Sequence, residues 1–441
     1  MNKNAIILLL IISFALLLRL CLLLLNISYN PSFFYQDIAS IKQGINSGEK
    51  PYLNDFGFEA SNVAYAMVCR GEGFSSPFGG STGPTGWVAP GMVFLYALPF
   101  YLFGCFTFGS ILFMFLVSLT LSAAITYMVY KVCLLVFNDH STAFLSSAFF
   151  AACPQDAALF FQHRHLDFNV YTFLLLLLLW IFIQHALCKS MKTLILFSLA
   201  AGLSFLFNPA FALPVIMCLA WLVLRQRKYF SAIKPTVTAF LIIAIIISPY
   251  VIFERYRLGF WSFIKSNSQF ELYIGNVAAA DGVLTLELFT RYHPNRNQQE
   301  FLTYKSQGEK QYLNSKFNHF LDTFRIQDFA RLSFKRFLHY FFIYSPVRNE
   351  AQGIGLFFRY AASALTGLSL VAYLFARRYN KNPCDLFIYS FILSYALPYL
   401  FAGIMWRYSY PVVPLSIILL CRSIVLVRNM SSTRIQADTP C

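Results

Sequence analysis

Apolar runs long enough to cross a lipid bilayer recur along most of this 441-residue chain, and they constrain its fold more than any other feature. A transmembrane helix needs about 20 predominantly apolar residues. Hydrophobic residues make up 58% of the chain and charged residues 12%, which indicates that lipid is its main solvent. The sequence therefore predicts one all-α polytopic membrane domain, residues 1–441, with about ten transmembrane helices. We place the apolar runs at 5–27, 106–136, 142–161, 168–186, 193–207, 210–225, 234–253, 356–376, 384–404 and 409–428.

The first apolar run could be a signal sequence, and the ten cysteines could form a metal or redox site. Residues 5–25 follow a short basic start, are too long for a secretory signal sequence and precede no A-x-A-like cleavage site, so we interpret them as an uncleaved helix. The ten cysteines show no metal or redox spacing. Because most of them fall inside apolar runs, we interpret them as small core residues.

The net charge of +15 comes from basic residues scattered over short inter-helix connections, not from a block with interleaved aromatics, which argues against nucleic-acid binding. With the N-terminus inside, the basic clusters fall on one side, which the positive-inside rule makes cytoplasmic. Two long segments, 28–105 and 254–355, then emerge on the outer side of the membrane. The basic clusters are Lys189 and Lys192; Arg225, Arg227 and Lys228; Arg377, Arg378 and Lys381; and Arg428.

Both long segments contain predicted helices. Residues 58–70 are expected to form a short helix before a loop rich in Gly, Ser, Thr and Pro. Residues 89–103 are apolar but short for a crossing, so we expect an interfacial or membrane-dipping helix. Residues 290–345 alternate polar and aromatic positions, which predicts helices along the membrane surface.

Glu59 is the first candidate for a catalytic base. Transfer of a sugar from a lipid phosphate needs a base for the acceptor hydroxyl and a countercharge for the departing phosphate. Glu59 opens the short helix beside the Gly-rich loop, in a mostly uncharged neighbourhood. Its alternative role is that of a helix-start carboxylate stabilised by the helix dipole.

The turn at residues 162–167, QHRHLD, holds charged groups at the membrane rim, where a lipid headgroup would lie. We take Asp167 as a second catalytic acid and His163, Arg164 and His165 as substrate-binding residues. Asp167 has an alternative role as an interfacial anchor paired with Arg164. The two histidines are poorly arranged on one helix face for a metal ion, so we assign no metal ligands and leave metal dependence open.

Three arginines near predicted outer helix ends are candidates for binding a donor phosphate. Arg19 lies in the apolar run LLLRLCLLLL, where an ionisable residue is costly and suggests a function. Its alternative role is to snorkel to the outer interface. Arg255 follows the seventh apolar run and Arg407 precedes the tenth.

Residues 57–104 resemble the first outer loop of bacterial GT-C membrane glycosyltransferases, relatives of aminoarabinose transferases and protein O-mannosyltransferases. The shared pattern is an acid opening a helix, G-x-G-F, a turn with TGPT and an aromatic, a Pro-led helix and a closing FG. Residues 248–276 and 293–313 resemble the lead into the second large outer loop and its continuation. Asp167 and the RYSYP of 407–411 fall where the family has an acid and an R-Y-x-x-P-like turn.

The resemblance implies a GT-C-like fold and an inverting glycosyltransferase that moves a sugar from a polyprenyl-phosphate carrier to a hydroxyl acceptor. It also implies that the acid of the first loop, here Glu59, is the base and that basic residues bind the phosphate. Many relatives place Asp, often Asp-Glu, where this sequence has Phe58-Glu59. Asp37 and Asp55 therefore remain alternative bases.

The expected partners are a polyprenyl-phosphate-linked sugar, membrane lipid and a glycan, lipid or protein acceptor, with no nucleic acid. Beyond the lipid-linked donor we expect no certain cofactor. Within the second resembling stretch we take Glu271 and Asn276 as substrate-binding residues. Two alternatives remain: a transporter or flippase of a lipid-linked sugar, although the chain shows neither paired broken helices nor repeat symmetry, and a non-catalytic glycolipid-binding relative.

Overall fold

The computed structural model describes residues 3–29, 38–46, 56–153, 156–157, 160, 164–224, 229–279, 281–343, 354–379 and 384–437. Within these residues the chain is all-helical, and its only β-type pairings are isolated bridges. The α-helices are, in chain order, α1 (Lys3–Tyr29), α2 (Ile38–Asn46), α3 (Phe58–Cys69), α4 (Pro90–Phe103), α5 (Phe108–Phe137), α6 (His140–Ala151), α7 (Asp167–Cys188), α8 (Met191–Phe207), α9 (Ala212–Leu224), α10 (Tyr229–Leu258), α11 (Ser268–Tyr273), α12 (Leu286–Tyr292), α13 (Gln298–Thr323), α14 (Ile326–Phe341), α15 (Ile354–Ala376), α16 (Asp385–Phe401) and α17 (Val413–Ala437).

Several of the described helices can cross a membrane, and the chain is a multi-pass membrane protein. Five stretches are long and apolar enough: Lys3–Ser28, Phe108–Phe137, Asp167–Cys188, Ile233–Leu258 and Arg407–Asn429. Shorter apolar helices cover Pro90–Phe103, Met191–Phe207, Pro209–Leu224, Ser363–Ala376 and Asp385–Phe401. The number of crossings stays a prediction.

Most predicted apolar runs coincide with helices, but the run at 142–161 does not continue as one helix. The helix α6 ends at Ala151 and is followed by a turn. Asp139 begins α6 by accepting from the main-chain N–H groups of Ser141 and Thr142, and Arg422 of α17 donates to the same carboxylate at 3.0 Å. Capping and an ion pair thus fix where this helix starts.

The apolar helices pack side by side around one large core. The helix α8 runs along α10, α5 packs against α6 and α7, and α15 packs against α17. Leucines on the outer side of α1, such as Leu10 and Leu17, stay exposed and would face lipid.

The long segments 28–105 and 254–355 pack against each other through aromatic rings and one buried acid. Phe78 and Trp87 of the first lie against Phe270 and Tyr304 of the second. Glu309 is also buried between the two segments. Its carboxylate accepts hydrogen bonds from the Thr85 hydroxyl, the Gly86 main-chain N–H, the Ser266 hydroxyl and the Tyr304 hydroxyl.

Two cysteines correct the prediction that the cysteines are small core residues. Cys69, the last residue of α3, and Cys105, in the connection after α4, form a disulfide across 36 residues of sequence. Their spacing matches no known motif, and the pairing arises because α3 packs against α4. The bridge closes the loop that carries the Gly-rich turn.

Candidate active site

Glu59 lies in the first turn of α3, where the chain turns sharply out of the preceding loop. Gly57 has φ 81°, and a Cβ there would lie 2.3 Å from Cζ of Tyr96, so a side chain would displace that ring. The Tyr96 hydroxyl donates to the main-chain oxygen of Arg164 at 2.9 Å. The start of α3 is therefore fixed against α4 and against the turn before α7.

A side chain from the second long segment binds the carboxylate of Glu59. Asn295 Nδ2 donates to Glu59 Oε1 at 2.6 Å, and Asn295 is 8% exposed. The main-chain N–H of Asn295 donates to Nδ1 of His293 at 3.2 Å. The contact therefore belongs to a short, internally bonded turn.

Aromatic rings enclose His293. Its ring centroid lies 5.1 Å from those of Phe270 and Phe289 and 5.7 Å from that of Trp87. Burial lowers the pKa of His293 to about 3, so the imidazole is neutral and its Nδ1 can accept a hydrogen bond. The turn that carries Asn295 is thus anchored in the interface between the two long segments.

Arg407 lies between two aromatic rings. Its guanidinium carbon is 5.6 Å from the ring centroid of Phe58 and 5.7 Å from that of Phe168. Its Nη1 is 3.4 Å from Nε2 of His165. Within the described ranges Arg407 forms no ion pair with a carboxylate, and its Nε has no hydrogen-bond partner. Stacking of this kind holds a guanidinium in place while leaving N–H groups for an anion.

His165 connects Arg407 to Asp167. Its Nδ1 is 3.3 Å from Asp167 Oδ1, and its ring centroid is 4.5 Å from that of Phe58. Asp167 begins α7 and is 19% exposed. Phe58, His165 and Arg407 therefore bring the start of α3, the turn before α7 and the RYSYP turn together.

A second acid, Glu271, lies in α11, and a second cation, Lys265, lies in the stretch before that helix. Asn267 Nδ2 donates to Glu271 Oε1 at 3.2 Å, whereas Lys265 Nζ makes no hydrogen bond or ion pair within the part of the chain that the structure describes. Burial raises the pKa of both Glu59 and Glu271, and the positive charges of Arg407 and Lys265 act in the opposite direction on both. The two acids and the two cations thus share one electrostatic neighbourhood.

Among the residues that the structure describes, no group of three His, Cys, Asp or Glu side chains is arranged to hold a metal ion. The arrangement instead offers a buried carboxylate that can take a proton and cations that can bind an anion.

Comparison with solved structures bears on the fold. The oligosaccharyltransferase of Archaeoglobus fulgidus in its apo form is similar with a TM-score of 0.52 and 13% sequence identity, over 97% of this chain and 51% of that one. The fold is GT-C-like. A second structure, the archaeal oligosaccharyltransferase AglB from the same organism with an inhibitory peptide and a dolichol-phosphate, is similar with a TM-score of 0.49 and 14% identity, over 91% of this chain and 51% of that one. This chain thus spans about half the length of the structures it matches. No protein-family model and no curated protein matches it.

The GT-C-like fold confirms the predicted fold class, while the likeness to aminoarabinose transferases and O-mannosyltransferases stays a prediction. Within this fold Glu59, His165, Asp167, Glu271 and Arg407 come together as candidates. Arg164 adjoins them, is 6% exposed and accepts from Tyr96 through its main chain. His163, Asp37 and Asp55 lie outside the described residues.

Arg19 lies elsewhere, in a buried ion pair. Its Nε donates to Asp156 Oδ2 at 2.9 Å, and the two side chains are 2% and 1% exposed. Nη1 donates to the main-chain oxygens of Ala15 and Ala151, and Nη2 donates to that of Cys153. A buried arginine with four such hydrogen bonds inside a helix bundle suits helix packing better than phosphate binding.

Two further candidates contact other residues. Arg255 is exposed at the end of α10, with its guanidinium carbon 5.8 Å from the ring centroid of Trp261. Asn276 donates to the main-chain oxygen of Phe401 at 3.0 Å and accepts from Arg336 at 3.0 Å. Asn276 therefore connects the second long segment to the end of α16.

Two residues of this cluster, Asn295 and Lys265, were not predicted from the sequence. Both lie in stretches that carry the family resemblance, 293–313 and 248–276, so the resemblance pointed to the region. Single Asn and Lys side chains in polar segments carry no local signal of a role.

Proposed function

We propose that this chain is an inverting glycosyltransferase that moves a sugar from a polyprenyl-phosphate donor to a hydroxyl acceptor. The acceptor oxygen forms a bond to the anomeric carbon while the bond from that carbon to the phosphate oxygen breaks. The acceptor proton passes to Glu59, and the polyprenyl phosphate leaves with the bonding electron pair. One displacement of this kind inverts the anomeric configuration.

The observation that carries the proposal is the setting of Glu59. This buried carboxylate shares an electrostatic neighbourhood with Arg407 and Lys265, and neither cation pairs with a carboxylate among the described residues. A base therefore lies beside positive charge that is free to act on a phosphate. General-base catalysis and electrostatic stabilisation of a leaving anion need these two elements.

The other residues of the site have supporting roles in this proposal. Arg407 and Lys265 offset the charge of the departing phosphate, which is a weak base and needs little acid assistance. Asp167 orients His165, which contacts Arg407. Glu271 binds the sugar or the acceptor.

The proposed site faces the periplasm from a bacterial inner membrane, with segments 28–105 and 254–355 outside. The positive-inside distribution of Lys and Arg supports this orientation. The Cys69–Cys105 disulfide in the first segment also supports it, because disulfides persist in oxidising compartments such as the periplasm.

The test is a transfer assay with a labelled polyprenyl-phospho-sugar in proteoliposomes, with envelope glycans, lipids and proteins as acceptors. Glu59→Gln should lower transfer about 100-fold or more, since it keeps size and polarity but removes the proton acceptor. Glu287→Gln is the matched control, because Glu287 is 82% exposed and pairs only with Arg291 among the described residues.

Two results would contradict the proposal. One is near-normal transfer by folded Glu59→Gln protein. The other is movement of labelled donor between the leaflets without any glycosidic product, which would identify a flippase instead.

A further inference from the structure

We propose that Asn295 is a positioning residue for Glu59: it holds one carboxylate oxygen so that the other faces the acceptor hydroxyl in the proton-accepting form. This inference rests on the proposed function, in which Glu59 is the base. Asn295 belongs to the second long segment. It contacts the base directly and is distinct from the two cations, Arg407 and Lys265.

The orientation of the Asn295 amide follows from the chemistry of its partner. In its proton-accepting form the carboxylate can only accept hydrogen bonds, and the amide presents its NH₂ group to Glu59 at 2.6 Å. The amide oxygen is then buried without a hydrogen-bond partner among the described residues. Because an unpaired buried oxygen costs stability, the fold keeps this orientation at a cost.

A neutral imidazole and main-chain groups hold the turn that carries Asn295, which also contains the charged Arg296. Neutral His293 accepts from the Asn295 main-chain N–H, and the main-chain oxygen of His293 accepts from Arg296 and Asn297 at 3.0 and 2.9 Å. Asn297 then caps α13 by accepting from the Glu300 main-chain N–H. Hydrogen bonds thus link the turn continuously from His293, which the aromatic rings enclose, to the start of α13.

The charged groups that face Glu59 explain why an uncharged donor matters. Arg407 and Lys265 favour its charged form, whereas burial and the neighbouring acid Glu271 oppose it. A bound donor phosphate draws on the same two cations. Asn295 then continues to favour the carboxylate form of Glu59. Its amide carries no full charge, so the phosphate does not draw it away as it draws the two cations.

The experiment measures the protonation of Glu59 without requiring turnover. Dicyclohexylcarbodiimide modifies protonated carboxyl groups, and mass spectrometry of the Glu59 peptide gives the extent of labelling at each pH. Asn295→Leu should move the labelling midpoint upward by about one pH unit, because a hydrogen bond to the charged form is lost. Asn295→Asp should move it further, because the new carboxylate repels Glu59.

The matched control is Asn314→Asp, which makes the same substitution at an exposed position of α13 and should leave the midpoint unchanged. His293→Phe keeps an aromatic ring but removes the acceptor for Asn295, so it should shift the midpoint upward by a smaller amount. An intact Cys69–Cys105 disulfide in each variant checks that the first segment has folded.

Transfer activity provides the second readout. The activity of Asn295→Asp should fall at neutral pH and recover as the pH rises, which general damage to the fold would not produce. Unchanged labelling midpoints and pH profiles in both Asn295 variants would overturn the positioning role. If Glu59→Gln is inactive in that case, the proposed function still stands; if Glu59→Gln remains active, the proposed function itself fails.

Discussion

The side-chain amide of Asn295 donates to Glu59 Oε1 at 2.6 Å, although the two residues are 236 positions apart in the chain. This contact joins the first turn of α3 to the turn before α13. Glu309 joins the same two segments a second time through Thr85 and Ser266. The hydrogen bond from Asn295 thus fixes the proposed base, and Glu309 fixes the Gly-rich loop.

Arg407 should matter for the donor phosphate and Arg255 should not. Arg407→Met removes a cation stacked between Phe58 and Phe168, so we expect kcat/KM for the lipid-linked donor to fall about 100-fold. Arg255→Met removes an exposed arginine stacked on Trp261 and should change kcat/KM for the donor less than about threefold. Initial rates at varied donor concentration measure both. Equal losses in the two variants would remove Arg407 from the proposed phosphate site.

Transfer should depend on pH through Glu59. Burial raises the pKa of Glu59 above its ordinary value of 4.5, and the base acts only when it is charged. Activity should therefore be full at high pH and fall as the pH drops through a midpoint above 4.5. The pH profile of kcat/KM measures this midpoint. A profile that stays flat down to pH 4.5 would show that Glu59 titrates in the ordinary range or takes no part.

Glu309→Gln should loosen the Gly-rich loop without removing a group from the proposed chemistry. The carboxyl group of Glu309 accepts four hydrogen bonds, whereas an amide presents one acceptor oxygen and a donating NH₂ group to the same donors. We expect a loss of about 3 kcal/mol in stability and faster proteolysis within residues 74–88. Thermal unfolding in detergent and limited proteolysis measure the two effects, with Glu287→Gln as control. An unchanged melting temperature would mean that the loop is held by other contacts.

The disulfide should stabilise the first segment. Replacing Cys69 and Cys105 by serine opens a loop of 36 residues, which we expect to cost about 4 kcal/mol. In protein isolated without reductant, neither cysteine should react with maleimide. Maleimide labelling of both residues in folded wild-type protein would show that the bond does not form.

The helices were largely predictable because the apolar runs encode them directly. The predicted run 106–136 is the helix Phe108–Phe137, and the short helix predicted at 58–70 is Phe58–Cys69. The run at 142–161 misled because its apolar composition continues past the point where α6 ends at Ala151. Apolar composition predicts whether a segment lies in lipid or in water, but it does not predict the residue at which a helix ends.

The partners of the site residues were less predictable, because they depend on contacts between distant parts of the chain. Arg19 looked like a functional arginine, yet its partner Asp156 lies 137 positions away in another apolar run. Asn295 has no local signal because its role comes from a neighbour in the first segment. The family resemblance pointed to both regions but not to the bond between them.

The most direct test of Glu59 as the base is chemical rescue of the folded Glu59→Ala protein in the polyprenyl-phospho-sugar transfer assay. The variant should lose at least about 99% of wild-type transfer, and added formate should restore activity in a saturable way by replacing the missing carboxylate. Transfer at the wild-type rate without formate would contradict the account.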